Sequence, residues 1–191
     1  KTVLITFTRT LVRYSRYIAK LMKMDVPVSV FSTVDNLINE MLLEIDSRIA
    51  YDFNIFMSFA SEEITPDFLD ASHLQSEIDD FLIGFAVNRK DYISGEAKRE
   101  GLVGRLTEEK RKTVWEARES YVSYMERKKL YSINYARLKL YNYLSENPES
   151  PIAGRIRHIF IDEVQDINPS ALLALKKLTS GHLFMAGDYS Q

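Results

Sequence analysis

The stretch Ile159-Phe160-Ile161-Asp162-Glu163-Val164-Gln165-Asp166 decides the reading of this chain. Three apolar residues run into two adjacent carboxylates, and a Gln and a third carboxylate follow. A short apolar run that ends in polar residues has the pattern of a buried strand. In open α/β sheets, chemistry gathers at the carboxyl ends of such strands. An Asp-Glu pair placed there can supply a magnesium ligand and a carboxylate that activates water. Taken alone, the pair would only solvate a strand end. Further along, however, His182-Leu183-Phe184-Met185-Ala186 leads into Gly187-Asp188-Tyr189-Ser190-Gln191. Two apolar runs, each with polar chemistry at its end and a helical segment between them, read as a βαβ unit.

Outward from this unit, the same alternation recurs at the start of the chain. Val3 to Phe7 is a strand candidate, and Leu11, Tyr14, Ile18 and Leu21 recur at helical spacing until Pro27 intervenes. Val28-Ser29-Val30-Phe31 reads as a second strand. Leu37, Ile38, Met41, Leu42 and Ile45 form the apolar stripe of a helix over 33–46. This β-α-β-α order favours a parallel sheet. Between 47 and 150 the sequence offers no confident strand. Thr65-Pro66-Asp67 has the chemistry of a helix start, with one or two helices reaching Val87. The glycines and charges of 88–105 read as a loop. Thr107-Glu108-Glu109 opens a long helix to about Lys129, and a further helix covers Ser132 to Leu144, ending before Asn147-Pro148. Arg157 to Asp162 then returns to α/β, and Asn168-Pro169 begins a helix with Leu172, Leu175 and Leu178 on one face. The expected fold class is α/β: a parallel sheet with flanking helices over 1–46 and 151–191, interrupted by a mostly helical insertion over 47–150.

Composition narrows the class. With 46% hydrophobic and 27% charged residues in 191, the profile is that of a globular chain. The absence of cysteine rules out a disulfide framework or a thiolate metal site and fits a reducing, cytoplasmic compartment. No apolar run has the length of a membrane span, and no signal peptide is visible. A chain that opens on Lys1 inside a strand-like run reads as a piece of something larger. The net charge of −2 conceals an asymmetry. Glu40 to Asp80 holds Arg48 as its only Lys or Arg among eleven carboxylates, whereas Glu96 to Lys139 has twelve basic and seven acidic residues. Such segregation points to a polyanionic partner for the basic segments, with the acidic stretch turned away from it; solvated helix faces are the plainer reading. The tyrosines between Trp115 and Tyr143 suit either packing between helices or stacking on bases. His73, His158 and His182 show no metal-ligand spacing.

Together these segments resemble superfamily 1 helicases of the UvrD/Rep/RecB type. Asp162-Glu163-Val164-Gln165-Asp166 resembles that family's motif II, Asp-Glu-x-Gln-Asp, and Gly187-Asp188-Tyr189-Ser190-Gln191 its motif III, Gly-Asp-x-x-Gln. Thr6-Phe7-Thr8-Arg9 is similar to motif Ia. Val30-Phe31-Ser32-Thr33 is similar to motif Ib, usually Thr-Phe-His-Ser, with three substitutions. Ser132-Ile133-Asn134-Tyr135 resembles the family's Asp-Phe-x-Asp-Leu helix start without its acids. The resemblance implies a partial RecA-like P-loop NTPase domain (1A) with a helical insertion (1B). It implies ATP and Mg²⁺ as cofactors, and translocation on single-stranded DNA with unwinding at duplex junctions, in settings such as DNA repair. Asp162, with Glu163 beside it, would hold the metal, and Glu163 would activate water. Gln165 and Gln191 would contact the γ-phosphate as catalytic and nucleotide-binding residues. Thr6, Phe7, Arg9, Phe31 and Ser32 would contact DNA. The phosphate-cradling Gly-x-x-x-x-Gly-Lys-Ser/Thr is absent from the sequence; in the family it precedes motif Ia, upstream of Lys1. A DNA-dependent ATPase without unwinding and a non-catalytic binding module are the alternatives.

Overall fold

The computed structural model describes residues 1–6, 8–27, 30–63 and 65–188. The chain divides into two compact units. Unit 1 comprises Lys1–Ile45 and Lys139–Gln191, and unit 2 comprises Asp46–Leu138.

Unit 1 is built on a four-stranded parallel sheet. Its strands are β1 (Thr2–Thr6), β2 (Phe31–Thr33), β5 (Ile156–Ile161) and β6 (Thr179–Met185), in the order β2-β1-β5-β6. Parallel neighbours need crossovers, and helices supply them. α1 (Arg9–Leu21) joins β1 to β2, and α8 (Pro169–Leu178) joins β5 to β6. Period-two alternation sends Val3, Ile5, Ile159 and Ile161 into the core, where Leu37, Ile38, Met41 and Leu42 of α2 (Val34–Ile45) and Ala171, Ala174, Leu175 and Leu178 of α8 are also buried. The helix starts follow capping chemistry: the Thr8 and Asn168 side chains accept from the amides of Leu11 and Ala171. On the alternate sheet face, Phe31, Leu4, Phe160 and Phe184 fall in register across all four strands. Phe160 and Phe184 stack at 4.5 Å there.

Unit 2 is mostly helical: α3 (Ile55–Glu62), α4 (Ala71–Gln75), a π-helical segment (Ser76–Ile83), α5 (Arg89–Ser94), α6 (Glu108–Lys128) and the start of α7 (Ile133–Glu146). Its core is aromatic. Phe56 and Phe59 meet Tyr121 at 4.9 and 5.1 Å, and Phe59 meets Tyr124 at 5.6 Å. Tyr131 and Tyr135 are buried as well, so these four tyrosines pack rather than present stacking platforms.

Several sequence expectations are corrected. The first helix ends at Leu21, short of Pro27, and the described part of the second strand is Phe31–Thr33, which meets the expected 28–31 at Phe31 and runs two residues further; Val28 and Ser29 lie outside the described residues. Unit 2 contains two two-residue parallel strands, β3 (Ala50–Tyr51) and β4 (Leu130–Tyr131), too short to leave an alternation pattern. The helix expected from Thr65-Pro66 starts instead at Ala71, because Asp70 caps the His73 amide at 2.9 Å and also takes the His73 ring at 2.7 Å. The expected 88–105 loop contains α5, capped by Asn88 and closed by Gly95 at φ 85°. Among the described residues, no helix is long and apolar enough to cross a membrane.

Candidate functional site

The carboxyl ends of β1, β5 and β6 share one edge of the sheet, and backbone bonds continue past the ladder there. The Asp162 amide donates to the Ile5 carbonyl at 3.1 Å, fixing the exit of β5 against β1. The Ala186 amide donates to Ile161 at 2.8 Å, and the Val164 amide donates back to Ala186 at 3.0 Å. The segments after β5 and β6 are thus sewn together where the polar residues begin.

Glu163 lies between these anchors with a left-handed backbone, φ 56° and ψ 52°. A non-glycine residue held there costs of order 1–3 kcal/mol, and such residues cluster at functional sites. The conformation ends the extended run and starts a 3₁₀ turn over Val164–Asp166. The Glu163 amide donates to Asp162 Oδ1 at 3.2 Å, and Gln165 Nε2 donates to Glu163 Oε2 at 2.5 Å. A neutral amide on one carboxylate oxygen orients the group without adding charge. Asp162, Gln165 and Asp166 are exposed, and Glu163 is half-buried. Gly187 lies against this segment: a Cβ there would meet Gln165 Oε1 and the Val164 side chain, which would have to shift to make room.

Asp162, Glu163 and Gln165 are therefore gathered at one strand end. Gln191 lies outside the described residues. Among the described residues, no group of three or more His, Asp or Glu could hold a metal ion. A site for Mg²⁺ needs less, because that ion keeps most of its waters and takes one or two carboxylates. The exposed oxygens of Asp162 fit such a ligand.

A second constellation lies on unit 1. Arg9, Phe31 and Ser32 line one cleft of about 440 Å³, together with Arg13, Arg16 and Asn36; Glu40 also borders it. Arg16 Nη2 donates to the Phe31 carbonyl at 3.0 Å, tying α1 to β2. Thr6 does not line this cleft. It is 2% exposed, and its hydroxyl donates to the Thr8 carbonyl at 3.2 Å. Phe7 lies outside the described residues. Arg13, Arg16 and Asn36 were not anticipated from the sequence. The available signal was the spacing of Arg9, Arg13, Arg16 and Lys20, which places four cations on one stripe of α1.

The basic helix of unit 2 departs from the expectation that the acidic stretch faces away from it. Arg127 pairs with Glu63 at 2.9 Å, Lys128 with Glu62 at 2.8 Å, and Lys129 with Asp46 at 3.5 Å. Opposite charges separated in sequence are brought together by packing α3 along α6, which neutralises much of that end of the helix. His158 and His182, distant in sequence, stack across β5 and β6 at 5.5 Å.

A search of the curated proteins found no match. The family model described as the UvrD/REP helicase N-terminal domain matches residues 2–191. With that match spanning the chain, and with an Asp-Glu-Val-Gln-Asp strand end sewn to a Gly-Asp turn on a parallel sheet, the chain belongs to the UvrD/REP helicase N-terminal domain family.

Proposed function

We propose that this chain carries part of the ATP-hydrolysing and DNA-gripping apparatus of an ATP-dependent helicase that translocates on single-stranded DNA and unwinds duplex junctions. Unit 1 is read as two stretches of a RecA-like domain and unit 2 as the helical insertion between them. The observation that carries the reading is Glu163, a carboxylate held in a strained backbone at a strand end, with Asp162 before it and Gln165 bonded to it.

Asp162 is the residue that would hold Mg²⁺, which when bound to nucleotide screens the phosphate charge. Glu163 takes the proton from the attacking water, with its second oxygen oriented by the Gln165 amide. Gln165 and Gln191, as neutral donors, are suited to a γ-phosphate oxygen without competing for the metal. Phosphoryl transfer is catalysed mainly by such positioning and electrostatics. The cleft of Arg9, Arg13, Arg16, Phe31 and Ser32 would take the single strand, its guanidiniums on phosphates and its ring against a base.

The test is Glu163→Gln in the intact protein. ATP binding should persist, while DNA-stimulated turnover should fall by about 10²–10⁴-fold, the usual contribution of a general base. Turnover that survives the substitution would place the chemistry elsewhere. A strand-displacement assay on the wild type separates a helicase from a DNA-dependent ATPase that does not unwind.

A further inference from the structure

Gly187 is glycine for the sake of space rather than of its backbone. Its φ lies outside the left-handed range that Gly95, Gly101, Gly104 and Gly154 occupy. What the position lacks is room for a side chain. A Cβ there would meet Gln165 Oε1, Val164 Cγ1 at 2.8 Å and the Val164 amide nitrogen at 3.3 Å. A larger residue must displace one of these neighbours, and they differ in how readily they yield.

The Val164 amide is fixed, because it donates to the Ala186 carbonyl at 3.0 Å while the Ala186 amide donates to Ile161 at 2.8 Å. The Val164 side chain is half-buried, β-branched and stiff at χ1. Gln165 is exposed, and its unbranched side chain has other staggered rotamers open to it. The conflict is therefore relieved most cheaply at the Gln165 carboxamide. That group is planar and moves as one piece. Its Oε1 faces Gly187, and its Nε2 donates to Glu163 Oε2 at 2.5 Å. Pushing one end away carries the other off the carboxylate. The space kept open after β6 thus controls how Glu163 is held after β5.

We propose that Gly187 is a positioning residue for ATP hydrolysis, its missing side chain keeping the Gln165 carboxamide on Glu163. The proposal rests on the reading of Glu163 as the group that takes the proton from the attacking water. Two readouts on the intact protein test it. The first is the NMR signal of the Gln165 side-chain amide, with the glutamines isotope-labelled. In Gly187→Ala this signal should move from its wild-type position to the one it takes in Glu163→Ala, where the acceptor is gone. The second is turnover. Gln165→Ala and Gly187→Ala should each lower kcat by about 10–100-fold, the worth of one hydrogen bond to a charged group. Affinity for ADP, which lacks the γ-phosphate, should be unchanged in both. In the Gln165→Ala background the space is vacated, so adding Gly187→Ala should lower kcat no further, whereas a general loosening of the fold would add to the loss. An unmoved Gln165 signal or additive losses in the double variant would overturn the proposal. So would a Gly187→Ala protein that melts well below the wild type, since the conflict would then fall on the backbone or on Val164. Full turnover in Gly187→Ala where Glu163→Gln abolishes it would overturn the proposal alone. Turnover that survives Glu163→Gln would instead remove the base, while the Gln165 signal still decides whether Gly187 holds the amide.

Discussion

In unit 1 the carboxylates Asp162, Glu163 and Asp166 stand at a strand end where water reaches them, whereas in unit 2 Glu77 and Asp79 are carried into the interior on one π-helical segment. The two settings ask different things of the same functional group. At the strand end, solvent pays for the charge, and what the fold fixes is direction: an amide on one oxygen and a left-handed backbone beneath it. In the interior the charge must be met by the protein itself. Glu77 is met fully, Asp79 only by neutral donors. The comparison teaches that exposure decides whether a carboxylate is available for chemistry or committed to structure, and that within unit 2 the partner, charged at Glu77 and neutral at Asp79, sets how well the buried charge is met.

The sharpest way to break this comparison is at Glu77. Arg99 Nε donates to its Oε1 at 2.6 Å and Arg99 Nη2 to its Oε2 at 2.5 Å, while the Tyr92 hydroxyl donates at 2.8 Å. Arg99 also donates to the Gly104 carbonyl at 2.8 Å, pinning the chain after α5. Arg99→Ala would strand a carboxylate whose side chain is 2% exposed. Breaking a buried pair in this way costs about 3–5 kcal/mol. Denaturant unfolding of Arg99→Ala should show a loss of that size. A loss below 1 kcal/mol would mean that Glu77 is solvated after all.

Asp79 should behave in the opposite sense. Its pKa is raised from 3.8 to about 6, chiefly by burial, with Asp80 adding to the rise and Ser132, Asn134 and Arg137 opposing it. Well below pH 3.8, Asp79 is protonated in both the folded and the unfolded chain, and the stability of the neutral buried group is fully present. As the pH rises from 3.8 to about 6, the unfolded chain ionises first and that stability is lost, with no further loss once both are ionised. A shift of this size is worth at most about 3 kcal/mol. Asp79→Asn should recover it above pH 7, less about 1 kcal/mol for the Asn134 bond it cannot keep. Urea titrations at pH 5 and pH 8 should show the variant gaining about 1.4 kcal/mol on the wild type between the two, since more than half of the loss is already complete at pH 5. A constant difference across that range would show that Asp79 is not strained by its charge.

At Glu163 the strain lies in the backbone rather than in the charge. Glu163→Gly removes the Cβ from a left-handed conformation, so it should raise thermal stability by about 1 kcal/mol while abolishing ATP turnover. A variant that is both less stable and inactive would show that the Gln165–Glu163 bond outweighs the strain.

The sequence was most readable where one residue type meets a strong local rule. Ile159 to Asp166 announced a strand and its exit, and Thr107 and Asn168 announced helix starts whose caps form as expected. The elements missed are those whose cause is distant. Asp79 meets Ser132 across 53 positions, and Ala50–Tyr51 becomes a strand only because Leu130–Tyr131 lies beside it. The π-helical segment, which buries Glu77, Ile78 and Asp79 in succession, has no local signature in the sequence. Thr65-Pro66 and Asp70 are competing caps of similar local merit. The second prevails where His73 adds a side-chain bond and Leu74 is fully buried. At the candidate site, the placement of Asp162, Glu163 and Gln165 at a strand end was legible, but the left-handed backbone of Glu163 was not.

The smallest effect concerns how each unit treats its cations. In unit 1, Arg9, Arg13 and Arg16 line a common cleft with Phe31 and Ser32. In unit 2, Arg127 and Lys128 are spent on Glu63 and Glu62. Exposed pairs of that kind contribute about 0–1 kcal/mol to stability, but they also cancel the charge that a phosphate would meet. Arg13→Ala should therefore lower the slope of log affinity against log salt for single-stranded oligonucleotides by about 0.7, the value for one phosphate contact on a single strand. Arg127→Ala should leave that slope unchanged. Because Arg127→Ala also exposes Glu63, a small loss of affinity at low salt is expected from repulsion, and it should fade as salt is raised. Fluorescence anisotropy across a salt series, on the intact protein, measures both variants against the wild type. Equal changes in slope would mean that the Glu63 pair opens when DNA arrives and that both units grip the strand. An unchanged slope in Arg13→Ala alone would remove the α1 stripe from the DNA path.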